Sequence, residues 1–311
     1  MIELASSGAR LAIDADRGGR IASWSIDGRE LLVGPPAPDD RSIRWGCFLM
    51  APWAGRLADG RYQAEDGRLV QVPRTHGRHA IHGLLWDRRW TAAETSPDRA
   101  VLTCEVPADL WPPGCSVRHE VRLTGDRLEL VAKVTASSAG SAGSAGAAAA
   151  PATPGAAGMP VAVGWHPWFR RDAGGSDARG EVALRVDAAE VLRTNRMIPT
   201  GESTPVLGRT DLRRGPRLGR RRLDHAYVAA RSPAVLRWQD LELTIAWDPT
   251  PATLVVHTPA SSLCVEPQTA WPNAPALDEH VRERSGLRIL PPGQSLAASM
   301  SMAIRGLGEA R

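Results

Sequence analysis

Apolar residues recur at every second position along most of this chain, in short runs closed by Gly, Pro, Asp or Asn. Arg20-Ile21-Ala22-Ser23-Trp24-Ser25-Ile26 leads into Asp27-Gly28 and then Glu30-Leu31-Leu32-Val33. Asp-Gly between two such runs favours the left-handed backbone of a tight hairpin turn. The dipeptide recurs at Asp66-Gly67. Gly125-Asp126 separates Ser116–Leu123 from Leu128–Val134, where Leu128, Leu130, Ala132 and Val134 share a face. Further strands are predicted at Val182–Val186, Val235–Trp238, Leu241–Trp247, Leu254–Thr258 and Leu263–Glu266. Apolar spacing of helical period is scarce. The pattern predicts an all-β fold, a sandwich of many short antiparallel strands.

One stretch interrupts it. Ala136–Gly158 is rich in Ala, Gly, Ser and Pro and offers too little apolar area to offset the entropy of ordering it. It reads as a flexible surface loop. The β pattern is alike on both sides, so a loop inserted in one domain spanning residues 1–311 fits better than a linker.

Composition adds bounds. A chain of 311 residues is long enough for one large β domain, and 43% hydrophobic with 23% charged residues is ordinary for a globular protein. There are 11 Trp but only 2 Phe and 2 Tyr. Trp offers a wide apolar face and an N–H donor, which suits core filling and sugar stacking alike. The formal net charge is +4 with the signs mixed, which is no nucleic-acid footprint. The exception is Arg209–Arg222, containing Arg213, Arg214, Arg217, Arg220 and Arg221, a solvated loop or a phosphate-binding one. Four cysteines, Cys47, Cys104, Cys115 and Cys264, show neither paired metal spacing nor a disulfide framework. Met1–Ser6 has no basic region followed by an apolar one, and no segment approaches a membrane span. A cytoplasmic monomer or homodimer is expected.

Two stretches carry candidate chemistry. Val163-Gly164-Trp165-His166-Pro167-Trp168-Phe169 sets an imidazole between large rings, and Leu263-Cys264-Val265-Glu266-Pro267-Gln268 sets a carboxylate beside a second proline. Proline fixes its own φ and holds the residue before it extended. His166 and Glu266 are therefore expected at strand ends in fixed conformations, as a general acid–base pair needs. Three further places stand out: Arg56 in Met50–Leu57, His82 before Gly83 and near Trp86 and Trp90, and Asp224 in Leu223–Val228. Alone, each also reads as a surface charge, a turn cap or a loop end.

In this order the five residues resemble the aldose 1-epimerase (galactose mutarotase) family. Its pattern runs from an Arg after a Pro-aromatic stretch, through His-Gly and Gly-x-His-Pro-aromatic-Phe, to an Asp before an aromatic and a Glu-Pro-Gln segment. The resemblance spans about Gly18 to Pro292. Two features depart from it. Gly55 stands where the family usually has Asn, and the Ala/Gly-rich stretch replaces a short connection.

The resemblance implies a large twisted antiparallel β-sandwich, the galactose mutarotase-like supersandwich, with a small-molecule sugar in an open cleft. It implies no metal, no cofactor, and neither nucleic acid nor membrane as partner. Glu266 would take the proton of the C1 hydroxyl and His166 would protonate the ring oxygen. Arg56, His82, Asp224 and Gln268 would bind the sugar, with Trp53, Trp86 and Trp271 as candidates to stack on it. A carboxylate near His166 is expected to push its pKa up and set the pH optimum near neutral. Three rival readings stay open. One is a non-catalytic carbohydrate-binding domain on the same fold. Another is a metal enzyme using His82, His166 and Glu266, near the evenly spaced His76 and His79. The third is an epimerase of hexose phosphates that uses the arginine run.

Overall fold

A computed structural model describes residues 1–36, 42–138, 158–173, 182–250 and 252–307. The expected hairpins form. Asp27 and Gly28 take φ of 49° and 79° and join Arg20–Ile26 to Arg29–Glu30. Gly67 turns between Arg61–Gln63 and Leu69–Gln71. Cys115–Thr124 and Arg127–Ala136 pair along their full lengths. The first hairpin is shorter than the pattern predicted. Beyond Glu30 the chain leaves its partner, because the Glu30 carboxylate accepts the amides of Trp24, Leu31 and Leu32 while Val33 donates to Trp168. Of Ala136–Gly158, all but its ends lies outside the described residues.

Most strands form two large antiparallel sheets, with three two-stranded pairs beside them. In the first, the order is Ile2–Ser6, Ala9–Asp14, Arg20–Ile26, Cys47–Met50, Gly164–Arg170, Ser262–Gln268, Ala252–His257, Asp224–Arg237, Glu190–Asn195 and Ile198–Pro205. In the second it is Thr91–Ser96, Arg99–Val106, Cys115–Thr124, Arg127–Ala136, Ser295–Gly306, Leu241–Asp248, Asp224–Arg237 and Ala183–Asp187. Asp224–Arg237 belongs to both. A register shift between Tyr227 and Ala230, with Ala229 at φ 50°, marks where it passes from one sheet to the other; extra residues of this kind bend a strand and increase its twist. The sheets share one apolar core, to which the first contributes Leu11, Ile21 and Trp24 and the second Leu102, Val121 and Leu130. The fold is a large antiparallel β-sandwich. Among the described residues helix is confined to short turns such as Glu279–Arg282, and no helix is long and apolar enough to cross a membrane.

The five adjoining strands from Cys47–Met50 to Asp224–Arg237 position the candidate site. One face, with Leu49, Trp165, Phe169, Leu263, Val265, Leu254, Val256 and Tyr227, packs into the core. The alternate positions form three rows on the other face. Asp224, His257, Cys264 and Trp168 make the first, and Ala226, Val255, Glu266, His166 and Phe48 the second. Thr253, Gln268, Gly164 and Met50 make the third.

Candidate active site

His166 and Glu266 lie a hundred residues apart in sequence and opposite one another across two adjacent strands. Gly164 pairs with Gln268 and Trp168 with Cys264, and this register leaves His166 facing Glu266 between them. The expectation of strand ends is corrected: both residues sit inside their strands, Gly164–Arg170 and Ser262–Gln268. Pro167 and Pro267 follow them without ending either strand, because the flanking pairs on both sides keep the ladder closed. Proline brings no N–H to the sheet, so the two side chains meet where it carries fewer bonds.

The pair is buried and in contact. His166 Nε2 lies 3.2 Å from Glu266 Oε1, and the two side chains are 5% and 2% exposed. Gln268 Nε2 donates to Glu266 Oε2 at 3.2 Å. The imidazole is stacked on two rings. Phe48 stacks on it at 4.9 Å and Trp168 at 5.0 Å, at interplanar angles of 21° and 15°. Two rings stacked on a flat group restrict its swing, which is the preorganisation that proton transfer needs.

A loop system covers this face. Arg56–Leu57 pairs with Ala80–Ile81, and His82 donates its amide to the Gly55 carbonyl. His82 takes φ 60°, a strained value for a non-glycine residue, and its ring stands edge-on to His166 at 4.8 Å. Gly83 must be glycine, since a Cβ there would come within 2.0 Å of the Ala51 carbonyl. Gly55 is likewise fixed, at φ 69° with the Pro272 ring 2.6 Å from where a Cβ would sit. The Asn of the family pattern is thus excluded here by Pro272.

At the mouth of the site Asp224 and His257 are 39% and 34% exposed, with His257 Nδ1 3.7 Å from Asp224 Oδ2. The His257 ring meets the edge of Trp168 at 5.7 Å. Arg56 is half-buried, and its charge is felt at His76, His82, His257 and Glu266.

Of the tryptophans, Trp86 packs with Phe48, Met50 and Trp168 in the apolar wall beside the pair, while Trp271 packs against Leu192, Ala226 and Val255. Trp53 is corrected. It is 1% exposed in the main core, stacked on Trp111 at 4.8 Å, so no face is left for a sugar. Phe48, Trp168 and His257 were missed as site residues. Trp168 carried a signal, since it alternates with His166 in one strand, whereas Phe48 and His257 join that face only through strand register.

Electrostatics overturns one expectation. Burial pushes Glu266 well above the usual carboxylate range, and Asp224 adds to the rise against Gln268 and Arg56. Burial also pushes His166 well below 6.5, with His82, His257 and Arg20 acting in the same direction. The carboxylate does not lift the imidazole, because both groups lack water and desolvation disfavours charge on either. His82 falls to about 3 for the same reason, followed by the effect of Arg56. Desolvation thus favours the neutral form of each partner, an uncharged imidazole beside a protonated carboxyl with one proton between them.

His82, His166 and Glu266 also place one ligand atom each within 4.8 Å of one another, a donor set that could hold a metal ion. Ligating imidazoles ordinarily donate their second nitrogen to an outer partner. Here Nδ1 of His82 and of His166 is buried with no partner among the described residues.

Comparisons with known proteins bear on the family and the fold. The uncharacterized protein YphB of Escherichia coli K12 is 22% identical over 306 residues, 94% of this chain and 95% of its own. A galactose mutarotase-like protein from Clostridium acetobutylicum superposes with a TM-score of 0.79 at 18% identity, covering 98% of this chain and 95% of that one. The GalM/aldose epimerase homologue from C. elegans does so at 0.78 and 18%, covering 99% of both chains. The sequence model of the aldose 1-epimerase family matches residues 1–145 and 152–303, and the chain belongs to that family.

Proposed function

We propose that the protein is an aldose 1-epimerase, a mutarotase that interconverts the α and β anomers of a free aldohexose. The observation that carries the reading is the buried contact of His166 Nε2 with Glu266 Oε1 in a member of this family. Mutarotation moves two protons and needs one acid and one base. A pair that shares one proton supplies both.

In the cycle the shared proton first passes from Glu266 to His166 across their contact. Glu266 then takes the proton of the C1 hydroxyl, and His166 gives its own to the ring oxygen. The bond from C1 to the ring oxygen breaks, its electrons stay on that oxygen, and C1 becomes an aldehyde. Rotation about C1–C2 and closure from the other face yield the opposite anomer, with the two residues exchanging roles. Each proton transfer contributes roughly 10²–10⁴-fold. Gln268 holds the carboxyl through its donated bond. Asp224 accepts from sugar hydroxyls at the mouth, Arg56 donates to them, and His82 bounds the site on the loop side.

The test is anomer exchange followed by polarimetry or NMR over free and phosphorylated aldoses. Exchange of free aldohexoses at rates above the uncatalysed reaction supports the reading. Exchange of phosphorylated sugars alone moves the substrate class to hexose phosphates. Saturable binding without exchange leaves a carbohydrate-binding domain. Protein stripped by a strong chelator should keep its full rate, and restoration by one transition metal after loss would favour the metal reading.

A further inference from the structure

Phe48, which stacks on His166, also meets a buried cation. Arg20 is 1% exposed, and its Cζ lies 4.4 Å from the Phe48 ring centre and 4.3 Å from that of Trp45. Its Nη1 donates to the Trp45 carbonyl at 2.9 Å and the Ile43 carbonyl at 3.4 Å, and its Nη2 to the Trp86 carbonyl at 3.1 Å. Nε has no partner, and no carboxylate among the described residues lies within ion-pair distance. Burial lowers its pKa to about 9, so at neutral pH the guanidinium remains charged. Asp14 and Asp87 favour the charge only from beyond ion-pair distance, and a buried charge without a direct counter-ion is expensive to keep. Such groups persist where they act on a site.

We infer that Arg20 is a positioning residue for the acid–base pair: its permanent charge, in contact with the ring that stacks on His166, adds to burial in opposing an imidazolium there and so biases the shared proton toward Glu266. The inference rests on the mutarotase reading. The other charged or titratable groups around the ring are Glu266 on the neighbouring strand, His82 on the covering loop and His257 beside Trp168. Asp224 and Arg56 lie beyond them at the mouth. His82 and His257 oppose an imidazolium as well when protonated, but burial pushes both below 6.5, so neither carries a lasting opposing charge at neutral pH. Arg20 supplies one from within the wall. A purely structural Arg20 would only tie together the backbone segments carrying Ile43, Trp45 and Trp86.

The two roles part on a titration. His166 is followed by nitrogen-15 NMR, assigned by comparison with His166→Gln, and the pH dependence of anomer exchange is measured in parallel. Arg20→Met and Arg20→Gln remove the charge. In both, the His166 midpoint and the acid limb of the rate should rise together by about one pH unit, the scale of a unit charge acting across roughly 9 Å at an effective dielectric of about 20. Arg20→Lys loses the planar fork but keeps a charge in the acid range where His166 titrates, so midpoint and limb should stay at their wild-type positions. Folded neutral variants with an unmoved midpoint would overturn the inference, as would Arg20→Lys shifting as far as Arg20→Met. If the neutral variants do not fold, Arg20→Lys decides alone: an unmoved midpoint supports the charge role and a shift of one unit overturns it. Absence of anomer exchange in the wild type would sink the mutarotase reading, while the NMR midpoint would still report whether Arg20 acts on His166.

Discussion

The two faces of the five central strands obey opposite rules. On the core face, Trp165, Leu263 and Val265 are buried among apolar neighbours, and each contributes by leaving water. One residue away, on the other face, His166 and Glu266 are buried almost as deeply, at 4% and 2% exposed, and burial there penalises charge. The same backbone ladder holds both sets. The difference shows that depth alone identifies neither core nor site. What distinguishes the site face is polar groups that burial leaves short of partners, including Nδ1 of His166 and Oε1 of Gln268. Such groups cost stability and are kept where chemistry uses them.

Substitutions on the two faces should separate the effects. Glu266→Gln keeps shape but cannot exchange a proton, so kcat for anomer exchange should fall by roughly 10²–10⁴-fold with the fold intact. Near-normal kcat in that variant would remove Glu266 from the proton path. Leu263→Ala, three residues back and on the core face, should do the reverse. It should destabilise the protein by about 2–5 kcal/mol in denaturant unfolding while its folded fraction keeps wild-type kcat. A large kcat loss in folded Leu263→Ala protein would mean that the faces are coupled through the strand.

The sequence exposed much of this division because its period is two. Strand positions and hairpin turns follow from alternation and turn chemistry, while the pairing of His166 with Glu266 as candidates comes from their proline-flanked motifs and the family resemblance. What it hid depends on register and on solvent. Nothing local in Gly46–Met50 marks Phe48 as the ring stacked on His166, since that contact is made across a strand pairing between distant segments. Trp53 sits in a motif beside Arg56 yet faces the core, which only the packing against Trp111 decides. The direction of the His166 shift was missed because a charge partner can be guessed from a motif, whereas the loss of water around both partners cannot.

The pH profile sharpens the contrast further. Activity needs one proton on the pair. It falls on the acid side as His166 gains a proton, below the ordinary 6.5, and on the alkaline side as Glu266 loses its own, above the ordinary 4.5. The limbs are macroscopic values of the pair. Across the active plateau the imidazole should remain neutral by nitrogen-15 NMR in the free enzyme. An imidazolium signal in the resting enzyme at pH 6 would restore the ordinary assignment, with the acid limb due to the carboxylate.

The smallest expected effect lies in stability. Glu266 holds its proton more tightly folded than unfolded, because burial raises its pKa above the ordinary 4.5. The stability contributed by that proton is therefore fully present below pH 4.5 and is lost as pH rises through the raised folded value, at up to about 1.4 kcal/mol per pH unit. Glutamine has no proton to lose. Glu266→Gln should thus match the wild type most closely in acid and gain on it as pH increases, so that the difference in Tm widens in favour of the variant from pH 5 to pH 9. Leu263→Ala carries no titrating group, and its Tm deficit should stay constant over the same range. A Glu266→Gln difference that is flat with pH, or that shrinks toward alkaline pH, would show that the carboxyl is solvated in solution. It would then belong with the exposed residues of the mouth, beside Asp224, and the division between the two faces would fail at its central residue.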